Sequence, residues 1–141
     1  MNTKELHPSL ATYWAATDAF REGRDAVLEL RAQLRYARAD VSNIEDTVLV
    51  AGGFGAVVID GKNQEMREAQ LHIALSADPH YRAMVAEVAR LEDGLAAAEA
   101  DVDCATNTMR GARLAIEFET SWNYRQAAAE GQPARGEGNG I

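Results

Sequence analysis

Apolar residues recur at alternating spacings of three and four along two long stretches of the chain. The first repeat runs from Tyr13 to Val48 and is interrupted only by Gly23, and the second runs from Tyr81 to Ile116 without a polar position. A 3.5-residue repeat sustained over five heptads is typical of a coiled-coil seam, because it keeps one helix face against a partner helix. The seam positions expected to pack are Val27, Leu30, Leu34, Val41 and Ile44 in the first stretch and Met84, Val88, Leu91, Leu95, Val102, Met109 and Ile116 in the second.

Two prolines mark where the helices that carry these seams begin. Pro8 suits the first position of a helix, and Asp78 followed by Pro79 suits a cap and first position. We therefore predict helices over 8–48 and 79–127, each roughly 60 to 70 Å long. Because their lengths match, the sequence predicts a mainly all-α fold: one antiparallel helical hairpin or coiled coil over 1–128, with a tip over 49–78.

The tip contains a glycine-rich segment between two β-branched runs. Residues 47–62 read TVLVAGGFGAVVIDGK, in which the runs over 47–50 and 56–59 flank three glycines. This pattern predicts a small β-hairpin. The alternative is a first helix that continues to Ala51 and is followed by a glycine-rich loop. After the tip, Asn63 is a good cap for a short helix from Gln64 to about Ser76.

Composition favours a folded protein that associates with itself. The 141 residues are 47% apolar, 26% charged and only 6% aromatic, with a formal net charge of −8. Small apolar side chains suit close helix packing, but two helices in contact along one seam leave other apolar residues uncovered. We therefore expect a homo-oligomer that covers these off-seam residues: Trp14, Leu28, Val85, Leu114, Phe118 and Trp122.

The termini and the single cysteine suggest a compartment. Cys104 is the only cysteine, the first ten residues do not resemble a secretory signal, and no apolar run approaches the roughly 20 residues of a membrane-spanning helix. A cytoplasmic protein with no membrane partner is expected. The Gly-, Ala- and Pro-rich residues 129–141 predict a disordered tail.

Signals of catalytic or cofactor chemistry are weak. The glycines around Phe54 match neither the Walker pattern nor GxGxxG, and they are better explained by a hairpin turn. The three histidines, His7, His72 and His80, have no ligand-type spacing. We expect no catalytic residues, no metal and no cofactor, and hence a non-enzymatic protein.

Arginines gather on one side of the first helix. At 100° per residue they span an arc of about 100°, separate from the arc that holds the acidic residues. They are Arg21, Arg24, Arg31, Arg35 and Arg38. One interpretation is pairing between subunits, in which Arg24, Arg31 and Arg38 meet acids of the second helix, among them Glu92 and Glu99. The other is a surface that follows a polyanion backbone.

A second basic pair lies at the start of the predicted short helix. Lys62 and Arg67 lie beside backbone amides that a helix N-terminus leaves without intrahelical partners, where they would form a small site for phosphate. A turn followed by the Asn63 cap explains most of the same residues without a ligand.

The run from Gly61 to Leu71, GKNQEMREAQL, resembles a GKNxExRxAQL motif of small helical phage proteins. The segment from Glu65 to Ile116 is similar to the C-terminal half of UvsY-type phage recombination mediators, and the resemblance covers residues 61–118. It implies an oligomeric DNA-recombination accessory protein in the host cytoplasm that binds single-stranded DNA and helps to load a recombinase, alongside a single-strand-binding protein. Lys62 and Arg67 are the basic residues inside the motif.

Two features depart from that family. The net charge is −8, and the GGFG segment over 52–55 does not align with it. The acidic charge, together with the Ala-rich seams, favours an alternative function as a structural or inhibitory protein–protein interaction factor, such as a phage scaffold or an anti-defence protein.

Overall fold

The computed structural model describes residues 7–131. Within that range it contains three α-helices and one two-stranded antiparallel sheet. In chain order these are α1 (Pro8–Ala51), β1 (Gly53–Phe54), β2 (Val57–Val58), α2 (Gln64–Ala77) and α3 (Pro79–Gly131). The predicted mainly all-α class with a small hairpin is confirmed.

The helix α1 ends three residues beyond its predicted end. The predicted first strand over 47–50 is wrong, because these residues form the last turn of α1. Val48 is buried there against Ala74 and Leu75 of α2, and this burial outweighs the β propensity of the run. Gly52, at a φ of 71°, ends the helix by donating its N–H to the carbonyl of Leu49 at 3.1 Å.

The β-hairpin forms over a shorter range than predicted. Gly53 lies opposite Val58 and Phe54 opposite Val57, which leaves a two-residue connection that starts with Gly55 at a φ of 57°. At Gly53 a Cβ would lie 2.1 Å from the carbonyl oxygen of Val57, so a side chain cannot be accommodated there. The base of the hairpin is closed by Ile59, whose N–H donates to the Gly52 carbonyl at 2.8 Å.

The predicted cap of α2 is confirmed. The Asn63 side chain accepts a hydrogen bond from the Met66 backbone N–H at 2.8 Å. At the other end Asp78 alone separates α2 from α3: its N–H donates to the Leu75 carbonyl at 3.1 Å, and its carboxylate accepts the His80 N–H at 2.9 Å. Asp78 is buried, with both of these hydrogen bonds made.

The chain divides into two compact units, and α1 and α3 contribute to both. The mixed unit is Gly23–Ala100, and it contains the β-hairpin and α2. One core cluster of this unit centres on Leu34, Ala37 and Leu91, from α1 and α3. A second, formed by Val48, Ala74 and Leu75, fixes α2 to the end of α1.

The two-helix unit consists of residues 7–22 and 101–131 within the described range. Its α1 and α3 segments run antiparallel: the Thr17 hydroxyl lies 3.4 Å from the Met109 sulfur, and the His7 ring contacts Glu119. Its buried residues are alanines, namely Ala16, Ala105 and Ala112. Small side chains let the two helix backbones approach closely.

The end of α3 corrects two predictions. The helix continues to Gly131 rather than to 127, and residues 129–131, predicted to be disordered, are helical. Alanines at 127–129 are the best helix formers, which explains the extension. The rest of the predicted tail, 132–141, lies outside the described residues. No helix between residues 7 and 131 is both long and apolar enough to cross a membrane.

Candidate nucleic-acid interface

Two of the five α1 arginines form ion pairs within the chain. Arg31 Nη2 donates to Glu99 Oε1 at 2.9 Å, and Arg38 Nη2 donates to Glu92 Oε1 at 2.9 Å. The partner acids are the predicted ones, but the predicted pairing between subunits is corrected to pairing inside one chain. The reason is that α1 and α3 are antiparallel in the mixed unit, so residues beside the seam of one helix reach those of the other.

These ion pairs are surface contacts. The Arg31 and Arg38 side chains are 57% and 60% exposed. A guanidinium carries five N–H donors, so most of the donors of both residues still face solvent. Pairs of this exposure contribute about 0 to 1 kcal/mol to stability. They reduce the positive charge along α1 without removing it.

Arg24 and Arg35 carry the uncompensated charge of the mixed unit on α1. Both side chains are exposed, and neither forms an ion pair with an acid in the described range. Leu28 lies four residues after Arg24 and seven before Arg35, on the same helix face, and it is 55% exposed. We call Arg24, Leu28 and Arg35 the arginine face. Arg21 is also exposed, in the two-helix unit.

The turn before α2 is more fully bonded than the sequence indicated. Gln70 Oε1 accepts the backbone N–H groups of Asp60 at 3.0 Å and Gly61 at 2.7 Å, and Gln70 Nε2 donates to the Asp60 carboxylate at 2.9 Å. A Cβ at Gly61 would lie 2.7 Å from the Met66 Cβ, so this position requires glycine. We call the Gln70 contacts the turn clamp, and sequence reasoning missed it. The only signal was a glutamine nine residues after the Asp60-Gly61 turn.

The GKNQEMREAQL run contains residues that build the turn and the helix cap, and others whose side chains are exposed to solvent. Gly61, Asn63 and Gln70 build the turn and cap, and Leu71 packs against the Val48 cluster. Lys62 and Arg67 are exposed at the beginning of α2. The Met66 and Gly61 amides near them are already taken by side-chain acceptors, so the turn-and-cap interpretation accounts for this end of the helix.

The seam residues form the contact layer between the helices of each unit. Three are buried, Val27, Leu34 and Leu91. The others are half-buried, Leu30, Val41, Ile44, Met84, Val88, Leu95, Val102, Met109 and Ile116. These half-buried side chains would become fully buried only if another helix packed against them.

A groove of about 520 Å³ opens in the mixed unit between the end of α1, β1 and the start of α3. Its apolar walls come from Ile44, Val48, Phe54 and Met84. Its polar lining includes Asp40, Asn43, Thr47, Asp78 and His80. Sequence reasoning missed it because its residues come from three elements that are distant in the chain. Between residues 7 and 131, no three His, Cys, Asp or Glu side chains are grouped closely enough to hold a metal ion.

Two acidic side chains in the mixed unit, Tyr81 and Glu87, have pKa values shifted from their usual ones. The pKa of Tyr81 is raised above 10.0, chiefly by burial of its hydroxyl group. The negative charge of Glu45, which accepts the Tyr81 hydroxyl hydrogen bond at 3.3 Å, raises it further. On the exposed side of α3, the hydrogen bonds from Arg90 lower the pKa of Glu87 below 4.5. The pair of Tyr81 and Glu45 is a contact between α1 and α3, and the pair of Glu87 and Arg90 lies within one helix turn.

Comparisons of this chain with protein-family models, curated proteins and solved structures find no match.

Proposed function

We propose that this protein is a non-enzymatic, self-associating DNA-recombination accessory protein of phage type that acts in the host cytoplasm. In this proposal it contacts single-stranded DNA through the arginine face and works beside a recombinase or a single-strand-binding protein. The observation that carries the proposal is the exposure of Arg24 and Arg35 with no acidic partner in the described range. The resemblance over residues 61–118 supports the functional class.

The arrangement fits backbone recognition rather than base recognition. Arg24 and Arg35 offer guanidinium groups for phosphates, while Leu28 between them lacks the aromatic ring on which bases stack. Binding of this kind releases counterions and is steeply salt-dependent. Since the net charge of −8 opposes DNA, one copy should bind weakly, and several copies on one strand would be needed for useful affinity.

Fluorescence anisotropy of a labelled single-stranded oligonucleotide, titrated at several salt concentrations, tests the DNA contact. The double variant Arg24→Gln/Arg35→Gln should bind more weakly and should flatten the slope of log K against log salt by about 1.4, since each phosphate contact contributes about 0.7. The matched control is Arg82→Gln/Arg110→Gln, which removes the same charge from exposed positions of α3.

Two results would contradict DNA contact through the arginine face. One is the absence of binding by the wild-type protein at low salt. The other is an equal loss of affinity in the two double variants, which would mean that net charge alone governs binding.

A second function is favoured by exposed apolar residues on α3. Leu114, Phe118 and Trp122 are 65%, 69% and 54% exposed, which suits a structural or inhibitory factor that binds other proteins, such as a phage scaffold or an anti-defence protein. The two functions separate in the same titration. A protein that sediments as an oligomer and leaves the oligonucleotide unbound at low salt would support the second.

A further inference from the structure

The last part of α3 presents an apolar face without a partner in the described chain. Leu114, Phe118 and Trp122 follow one another at intervals of four residues and therefore share one side of the helix. Every residue from 117 to 131 is exposed, although His7, at the start of the described α1 segment of this unit, still contacts Glu119. A concavity of about 500 Å³ lies along these side chains and is also lined by Glu117, Ser121 and Arg125.

A helix segment of this kind is incomplete by itself. Helices in proteins gain most of their stability from packing an amphipathic face rather than from helix propensity. Three large apolar side chains on one side of such a segment form a contiguous patch rather than scattered exposure. A packing partner would cover this patch and stabilise the end of α3.

We propose that this face binds the same face of a second copy of the chain, with the two α3 helices antiparallel about a two-fold axis near Ser121. In that arrangement Phe118 and the partner's Trp122 are offset by only about 3 Å along the helix axis, so their rings can touch, and the contact is repeated by symmetry. Ser121, a small residue, lies where the helices cross and allows a close approach.

Charge complementarity selects the antiparallel arrangement. With the axis near Ser121, Glu117 lies beside the partner's Arg125, and the same attraction occurs at the other end of the contact. A parallel pair would instead place each Glu117 beside the partner's Glu117 and each Arg125 beside the partner's Arg125. Glu117 already accepts a hydrogen bond from Arg113 through Oε1 at 2.9 Å, which leaves its second carboxylate oxygen for the partner's Arg125.

The available area predicts a reversible dimer. An aromatic side chain contributes about 150 to 250 Å² when fully covered, so four partly exposed rings and two leucines bury at most about 1,000 Å². That area is at the lower limit for a specific interface, which is typical of weak, reversible association. The inference rests on the self-association part of the proposed function and is independent of the DNA contact.

Sedimentation velocity of the full chain over micromolar concentrations tests the interface. Phe118→Glu should weaken dimerisation by about tenfold or more, because a carboxylate would lie in an apolar contact. Tyr36→Glu is the matched control, since Tyr36 is an aromatic residue of α1 that is 73% exposed. The Tyr36→Glu variant should dimerise as the wild type does. Circular dichroism shows whether both variants keep their helical content.

A charge exchange tests the orientation. Glu117→Arg and Arg125→Glu should each weaken the dimer, and the double variant should restore it, because the opposite charges then meet in reversed positions. Single variants that weaken the dimer without restoration in the double variant would overturn the antiparallel arrangement.

The outcomes distinguish this interface from self-association in general. An oligomer whose stability is unaffected by Phe118→Glu would overturn this interface and leave self-association standing. A wild-type protein that is monomeric at every concentration would overturn both. A monomer that loses thermal stability in Phe118→Glu would show that the face packs within its own chain, which also overturns the proposal.

Discussion

The side chain of Gln70 binds Asp60 at two points: Oε1 accepts the Asp60 backbone N–H at 3.0 Å, and Nε2 donates to the Asp60 carboxylate at 2.9 Å. The first point holds the backbone and the second holds the side chain, so Asp60 has little freedom to rotate. Through Gly61, whose N–H binds the same Oε1 at 2.7 Å, the turn is attached to the second turn of α2. The turn at Asp60 and Gly61 is therefore held in a fixed position against α2.

The turn clamp can be tested with Gln70→Ala. We expect a loss of about 0.5 to 1.5 kcal/mol in the free energy of unfolding, because two backbone N–H groups, one exposed and one half-buried, exchange a fixed side-chain acceptor for water. Faster hydrogen exchange at the Asp60 and Gly61 amides should accompany the loss. Gln64→Ala is the control, since Gln64 makes only an exposed hydrogen bond to Glu68 at 2.8 Å. Equal effects in the two variants would exclude a specific role for the clamp.

The core of the mixed unit depends on Leu91, which is 2% exposed and packs with Leu34 and Ala37. Leu91→Ala should reduce the free energy of unfolding in urea by about 2 to 5 kcal/mol, because it removes buried methyl groups and leaves a cavity. Leu28→Ala removes the same atoms from a side chain that is 55% exposed and should cost much less. A similar cost for both leucines would contradict the assigned core.

The hairpin depends on Gly53, at a φ of 146°. Gly53→Ala should open it, because the new Cβ would lie 2.1 Å from the Val57 carbonyl oxygen. The expected signs are loss of cross-strand nuclear Overhauser contacts and faster exchange of the Ile59 amide. Gly55→Asn should keep both signals, since no atom lies within 4 Å of a Cβ there and asparagine tolerates its φ of 57°. A hairpin that survives in Gly53→Ala would refute this assignment.

Tyr81 should make stability depend on alkaline pH. Its pKa is raised in the folded state, so the unfolded chain loses this proton first as the pH increases. The contribution of Tyr81 is therefore complete below pH 10 and decreases as the pH rises through the folded-state pKa. Thermal unfolding of wild type and Tyr81→Phe, compared at neutral pH and above pH 10, should show a steeper alkaline loss in the wild type. Parallel curves would contradict the linkage.

Local patterns predicted the helices well and the contacts between distant elements poorly. The starts at Pro8 and Pro79 and the Asn63 cap follow from chemistry within a few residues, and the structure places helix starts and a cap there. The run over 47–50 was misassigned because its conformation depends on the burial of Val48 against α2, which is distant in sequence.

In the candidate site, too, local features were predictable from the sequence and contacts between distant elements were not. The arginines and their acidic partners could be selected from heptad positions, since charges beside a seam pair across it. Whether Arg31 pairs within or between chains depends on the antiparallel arrangement of α1 and α3, which a residue pattern does not specify. The turn clamp and the groove at Phe54 combine residues of different elements, so they became visible only in the folded chain.

The one-residue joint at Asp78 has a consequence for how this protein can change in length during evolution. Because α2 ends at Ala77 and α3 begins at Pro79, an inserted residue that extended either helix at the joint would rotate α3 by about 100° relative to α2. Leu91 would then leave the core, whereas an insertion between β1 and β2 would only lengthen a loop. Natural variants of different length should therefore vary at residues 55–56 and keep the joint constant.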